Sequence, residues 1–112
     1  YSELVYTNIG VTEPHHPLTH HRGIPSRIEQ AGRINVYHAK LYNHFLDRMA
    51  STPDGDGTLL DHSMLLYGAG MGDGDIHNQW NMPIAVFGGA NGKIKKLKHE
   101  CTTCPVGKYK PV

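Results

Sequence analysis

Four histidines of this chain fall within seven positions, in the string His15-His16-Pro17-Leu18-Thr19-His20-His21. Neutral imidazole is the commonest nitrogen ligand for zinc and related ions, so a cluster this dense points first to metal chemistry. Pro14 and Pro17 predict an extended, stiffened loop on which several rings can converge. A purification-style tag would be uninterrupted and terminal, and the interspersed Pro, Leu and Thr set this string apart from one. A second polar string, GMGDGDIHN from Gly70 to Asn78, offers Asp73, Asp75 and His77. Its glycines, with Gly68 before them, let the backbone turn tightly enough to aim alternate side chains inward. An ordinary Gly/Asp turn has the same composition, so the second string gains weight from the first. The expected ligands are His16, His20 and His21, with His77 from the other string and Asp73 or Asp75 completing a mixed nitrogen and oxygen shell. Such a shell suits a divalent ion of the Zn or Mn kind. Thr19 is the one candidate nucleophile, and only if a base or metal lowered its hydroxyl pKa. Bonding to the backbone, or orienting a neighbouring His, is its simpler use.

Other chemistry-bearing residues have plainer expectations. His38 lies on an apolar helical stripe and reads as a core histidine with a satisfied hydrogen bond, or as an orienting partner to a ligand. His44 and His62 read as surface or packing residues. Asp54 and Asp56 resemble a piece of a calcium loop, but the spaced Glu that would complete an EF-hand is missing, so they are expected to form a turn. Trp80 and Met82 precede a strand and are expected to seal its core. Cys101-Thr-Thr-Cys104 is half of a zinc-ribbon signature without its second pair, so a local disulfide or two free thiols is the plainer reading.

The elements that must position these groups are legible in outline. A length of 112 residues allows one domain with one modest core. Eleven Lys and Arg nearly cancel ten Asp and Glu, and the net charge of +1 gives no general reason to expect nucleic acid or a membrane surface as partner. No apolar run approaches the roughly 20 residues needed to span a bilayer. The opening YSELVYTNIG reads as the interior of a longer protein. Pro25-Ser26 with Glu29 has a capping-box pattern, and Ile28, Ala31, Ile34, His38, Leu41, Phe45 and Met49 then recur at helical steps. A helix over Ser26 to Ser51 is predicted, ended by Thr52-Pro53, with Ile34, Leu41 and Phe45 packed on strands. Those strands are Ser63 to Tyr67 and Ile84 to Phe87, short apolar runs expected to be buried on both faces as parallel neighbours or members of one sheet. Lys93 to Lys98 suggests an added edge strand. The fold class expected is α/β, with the second polar string leaving the carboxyl end of the first strand, where ligands gather in such sheets.

One family carries this pattern. The string from His16 to His21 resembles the motif of the HXXSHH domain family of exported bacterial proteins, with Thr19 where the family name has Ser. IEQ at Ile28, INVYH at Ile34, TPDGDGTLLDHSMLLYGAGMGDGDIHN from Thr52 and PIAVFGG from Pro83 follow its order, so that the resemblance spans Ile9 to His99. It implies a carboxyl-terminal part, residues 1–100, of a longer exported protein that supplies the rest of the sheet, with residues 101–112 a divergent tail. It also implies alkaline-phosphatase-like kinship, a partial sheet of that type with one long helix, and metal-dependent hydrolysis of a small anionic or ester substrate. Gly70-Met71 stands where that broader group has an Asp-His pair, a departure that speaks against a full two-metal site. The competing expectation is a non-catalytic metal-binding or surface-interaction protein on the same scaffold.

Overall fold

The computed structural model describes residues 3–94. Cys101, Cys104 and the tail at 101–112 lie outside the described residues, as does most of the expected edge strand. Lys93 and Ile94, which are described, sit in a turn whose amides bond to Ala90 and Gly89 carbonyls.

The chain enters through a single 3-10 turn at Thr7–Ile9, then a short helix, α1, at His15–Thr19, and then the long helix α2 at Pro25–Ser51. Helix α2 has 27 residues, which is about 40 Å of rise. Its start differs from the expectation in one respect. Ile24 is the N-cap and Pro25 the first helical residue, so Ser26 lies inside the first turn and makes no capping bond. Proline at that position needs no partner for an N–H it lacks, and its fixed φ serves the purpose the capping box was expected to serve. The other end falls as expected, at Thr52, whose extended backbone is the one that a following proline imposes. Thr52 closes the last turn by donating its hydroxyl to the Arg48 carbonyl at 2.7 Å.

Beyond α2 come β1 (Pro53–Asp54), β2 (Gly57–Thr58), helix α3 (Leu59–His62), β3 (Leu65–Gly68) and β4 (Ile84–Phe87). The capping box forms here instead: the Thr58 hydroxyl accepts from the Asp61 N–H while the Asp61 carboxylate accepts from Thr58. That bonding holds the Asp61 carboxyl below its usual pKa. The chain is thus a mixed helix and strand protein, one long helix on small antiparallel sheets.

The two apolar runs do share one sheet, but as antiparallel neighbours, with Leu66 opposite Val86. A parallel pair would need the intervening segment to carry the chain back the length of the sheet. The segment instead doubles on itself, through the Gly72 N–H to Asn78 carbonyl and Asn78 N–H to Asp73 carbonyl bonds, and returns beside its point of departure. Nor are the strands buried on both faces. Leu65, Tyr67, Ala85 and Phe87 face the helix side and are half-buried, whereas Leu66 and Ile84 are 72% and 56% exposed. Trp80 and Met82, expected to seal this core, are both exposed.

The fully buried side chains lie elsewhere. Val11, Leu18 and Ile34 have no exposure, and with Tyr6 they form a core between α1, the entering arm and the first half of α2. Ile34 therefore packs on α1 and the arm, not on the strands, while Leu41 and Phe45 remain largely exposed. The contact of α2 with the sheet is aromatic: Tyr42 stacks on Tyr67 with ring centres 4.3 Å apart and lies 5.4 Å from Phe87. Polar bonds tie the arm down as well, Arg27 pairing with Glu13 at 2.9 Å and the Thr12 N–H donating to Gln30 at 3.0 Å.

The Asp54–Gly57 turn is more than a turn. His62 reaches back over it, with Nδ1 2.9 Å from Asp54 and Nε2 3.1 Å from Asp56. Only an imidazolium can donate from both nitrogens at once. The hydrogen bond that His62 donates to Asp54, together with the charges of Asp54 and Asp56, raises the His62 pKa above its ordinary value. A raised histidine contributes stability that is present in full below the unfolded pKa of about 6.5 and is lost as pH rises through the folded value. We therefore expect the His62 ring resonances to titrate above those of a free histidine, and to fall back toward it in Asp54→Asn. A His62 titration unchanged by that substitution would mean that the clamp is not formed.

Candidate metal centre

The histidine string begins as helix over His15–Thr19, not as the extended loop expected, with His20 and His21 just beyond its end. Pro17 falls within the first turn of α1, where a backbone N–H would have had no intrahelical partner, so it does not break the helix. Leu18 points into the core and anchors the turn. The consequence is geometric. His16 and His20, four residues apart, come to one side, with ring centres 4.9 Å apart. His15 turns the other way, toward Tyr6 and His38, each 5.8 Å off.

The glycine-rich loop brings the second set. His77 has a positive φ of 53°, a left-handed conformation that costs a residue with a β-carbon about 1–2 kcal/mol. In that conformation its ring lies 4.9 Å from the ring of His20. His16, His20 and His77 thus stand in a file, edge to face, drawn from segments far apart in sequence. Two imidazoles bound to one zinc at about 2.0–2.1 Å, at a tetrahedral angle, have ring centres about 5 Å apart. The observed spacing matches that figure for each adjacent pair. Among the described residues, however, no three His, Cys, Asp or Glu side chains already converge on one point where an ion would sit. Rotation of exposed rings would be needed to close the file on an ion.

Asp73, Asp75 and His21 form a neighbouring group. The Asp75 N–H donates to the Asp73 carboxylate at 2.8 Å, and the Asp75 carboxylate accepts from the Arg22 N–H at 3.0 Å. This second bond joins the loop to the segment that follows α1. His21 lies between the two acids, Nε2 3.8 Å from Asp73 and Nδ1 3.8 Å from Asp75. Its Nδ1 also accepts from the Gly23 N–H at 3.1 Å, which places the ring proton of the neutral form on Nε2. As seated, His21 is oriented by the loop acids, with its Nδ1 lone pair taken by the Gly23 N–H and its Nε2 proton on the side of Asp73, so it binds an ion only after losing that proton or that bond. Thr19 donates its hydroxyl to the His16 carbonyl at 2.7 Å, the backbone role weighed for it.

Several of these groups, though not His20 or Asp75, open on a groove of about 1140 Å³. It is lined by His15, His16, Thr19 and His21 on one segment, Asn35 and His38 on α2, loop residues 68–74, and His77. His38 is half-buried and bonded to the Tyr6 hydroxyl at 2.9 Å, the satisfied histidine its place on the stripe suggested, and it also faces the groove. Burial, then the nearby His38 and His16, push the His15 pKa down, so this ring is neutral at physiological pH. Sequence reasoning did not single out Tyr6 or the groove-facing role of His15 and His38, since nothing in the spacing links Tyr6 to α2. His44 is exposed on α2, in line with the surface role read for it.

The loop depends on particular glycines. A β-carbon at Gly72 would be driven into the Trp80 carbonyl oxygen, whereas one at Gly70 would meet open space. Gly72→Ala is expected to raise hydrogen exchange at the Asn78 amide by about tenfold or more, because relieving such overlap costs about 1–3 kcal/mol. Gly70→Ala should leave that amide unchanged. Equal exchange in the two variants would contradict the loop geometry.

Comparison of the chain with protein-family models, with curated proteins and with solved structures returned no match.

Proposed function

We propose that the chain carries a divalent-metal site built from His16, His20 and His77, with Asp73, Asp75 and His21 completing or orienting it, and that the site serves hydrolysis of a small ester. The observation that supports this is the file of three imidazoles at 4.9 Å spacing, whose outer members His16 and His77 line a groove large enough for a small molecule. A bound ion of the Zn or Mn kind would supply polarisation of an ester oxygen or activation of water. The chain's own residues supply the rest: the Arg22–Asp75 bond holds the loop to the segment that follows α1, and the groove admits the substrate. Kinship with the HXXSHH family, an alkaline-phosphatase-like sheet and export from the cell are part of this proposal and rest on the resemblance of the motifs.

A second function, metal binding or surface interaction without catalysis, is favoured by two observations. The Thr19 hydroxyl is turned to a backbone carbonyl, and Met64, Leu66, Ile84 and Val86 leave an apolar sheet face exposed. Among the described residues no helix is long and apolar enough to cross a membrane. Release of nitrophenol from nitrophenyl phosphate, sulfate and acetate, with Zn or Mn added and then chelated, separates the two. The hydrolase is expected to turn over one ester class and to lose that activity on chelation. A metal-loaded protein that leaves all three intact is the non-catalytic one.

A further inference from the structure

A second pair of imidazoles lines the same groove and has no part in the metal file. His15 and His38 have ring centres 5.8 Å apart, and both face the groove beside the Asn35 amide. The Tyr6 hydroxyl lies 2.9 Å from His38 Nε2 and has no other partner among the described residues. A phenol is the better donor of such a pair, so Tyr6 donates, Nε2 accepts, and the proton of neutral His38 sits on Nδ1. His38 is then a fixed donor. The His15 ring and the Asn35 amide make no hydrogen bond among the described residues, so each has an N–H to offer. Among the described residues no Lys or Arg lines the groove, and the one lining carboxylate is Asp73, whose Oδ1 accepts from the Asp75 N–H. Free donors are thus present there, flanked by the apolar surfaces of Tyr67 and Met71.

We propose that His15, His38 and Asn35 form a donor subsite for the oxyanion of the groove's ligand, with Tyr6 as the positioning residue for His38. The ligand class is a small oxyacid or its ester, its uncharged body lying along Tyr67 and Met71. This deepens the metal-site proposal and rests on it for the positive charge, since neutral donors orient an anion better than they attract it.

The probe is inorganic phosphate, titrated by calorimetry into the zinc-loaded full chain. The double variant His15→Phe, His38→Phe, which keeps the rings and removes both N–H donors, is expected to keep zinc affinity within about twofold and to lose about tenfold in phosphate affinity, two hydrogen bonds of ordinary net strength. Asn35→Ala, on an exposed position of α2 that folding does not need, should lose about threefold or more. Tyr6→Phe should weaken phosphate but not zinc. Unchanged phosphate affinity in both the double variant and Asn35→Ala overturns the subsite, as does a zinc-loaded parent that binds no phosphate. If the parent takes up no zinc, the metal proposal fails by itself. Phosphate is then titrated into the metal-free proteins, where a parent that binds more tightly than the double variant upholds the subsite and equal binding overturns it.

Discussion

Replacing His20 and His21 together by Ala should lower zinc affinity by more than a hundredfold, while His44→Ala leaves it unchanged. His20 is the middle member of the imidazole file, 4.9 Å from the rings on either side, so its loss separates His16 from His77. His21 is the ring that sits between Asp73 and Asp75, and its loss frees the loop acids. Removing a partner that merely orients a ligand costs about 10–100-fold in metal affinity, and removing a ligand as well should exceed that range. His44 is the proper control because it is exposed on α2, whereas His62 is held in its own clamp by Asp54 and Asp56. Zinc should also be released on acidification, as imidazole protonates and competes with the ion. Calorimetric titration of the two variants and the parent measures this. Equal zinc affinity in all three would remove the histidine string from any metal site.

Leu18→Ala should destabilise the fold by about 2–5 kcal/mol, the range for emptying a fully buried aliphatic position. For a domain with a margin of about 5–15 kcal/mol, that is a large fraction of the whole. Leu18 has no exposure and meets Val11 and Ile34, themselves without exposure, so the cavity has little means of collapsing. The same side chain anchors α1, so the variant should lose zinc affinity along with stability. Val86→Ala, on the exposed sheet face, should cost well under 1 kcal/mol. Urea denaturation of both variants measures the difference. A Leu18→Ala protein as stable as Val86→Ala would mean that the core does not lie between α1 and α2.

The sequence made α2 legible because its punctuation is local: Pro25 starts it and Thr52-Pro53 ends it, whatever the rest of the chain does. Which face of α2 is buried was not legible. Period alone puts Ile34, Leu41 and Phe45 on one stripe, but only Ile34 meets the arm and α1, and the other two extend past that cover. Strand positions were read from apolar runs, yet their direction followed from how the glycine-rich loop doubles back through Gly72 and Asn78, which composition does not encode. The histidine string was legible as chemistry and not as conformation, because a proline in a first turn looks, in sequence, like a proline in an extended loop. Its pairing with the GDGDIH loop follows from residue type alone. The meeting of His20 with His77 depends on the Arg22–Asp75 bond and on a left-handed His77 backbone, neither of which spacing reveals. The His62 clamp was missed because Asp54 and Asp56 already had a sufficient use as turn residues.

The most direct test of a shared site is a zinc titration followed in the side-chain 1H–15N spectrum of the histidines. The expected result is that His16, His20 and His77 shift together and saturate at one equivalent, that His21 follows through its loop acids, and that His44 does not move. Saturation at one equivalent with His77 unmoved, or the histidine string shifting with no response from the loop, would contradict a single metal site built from both segments.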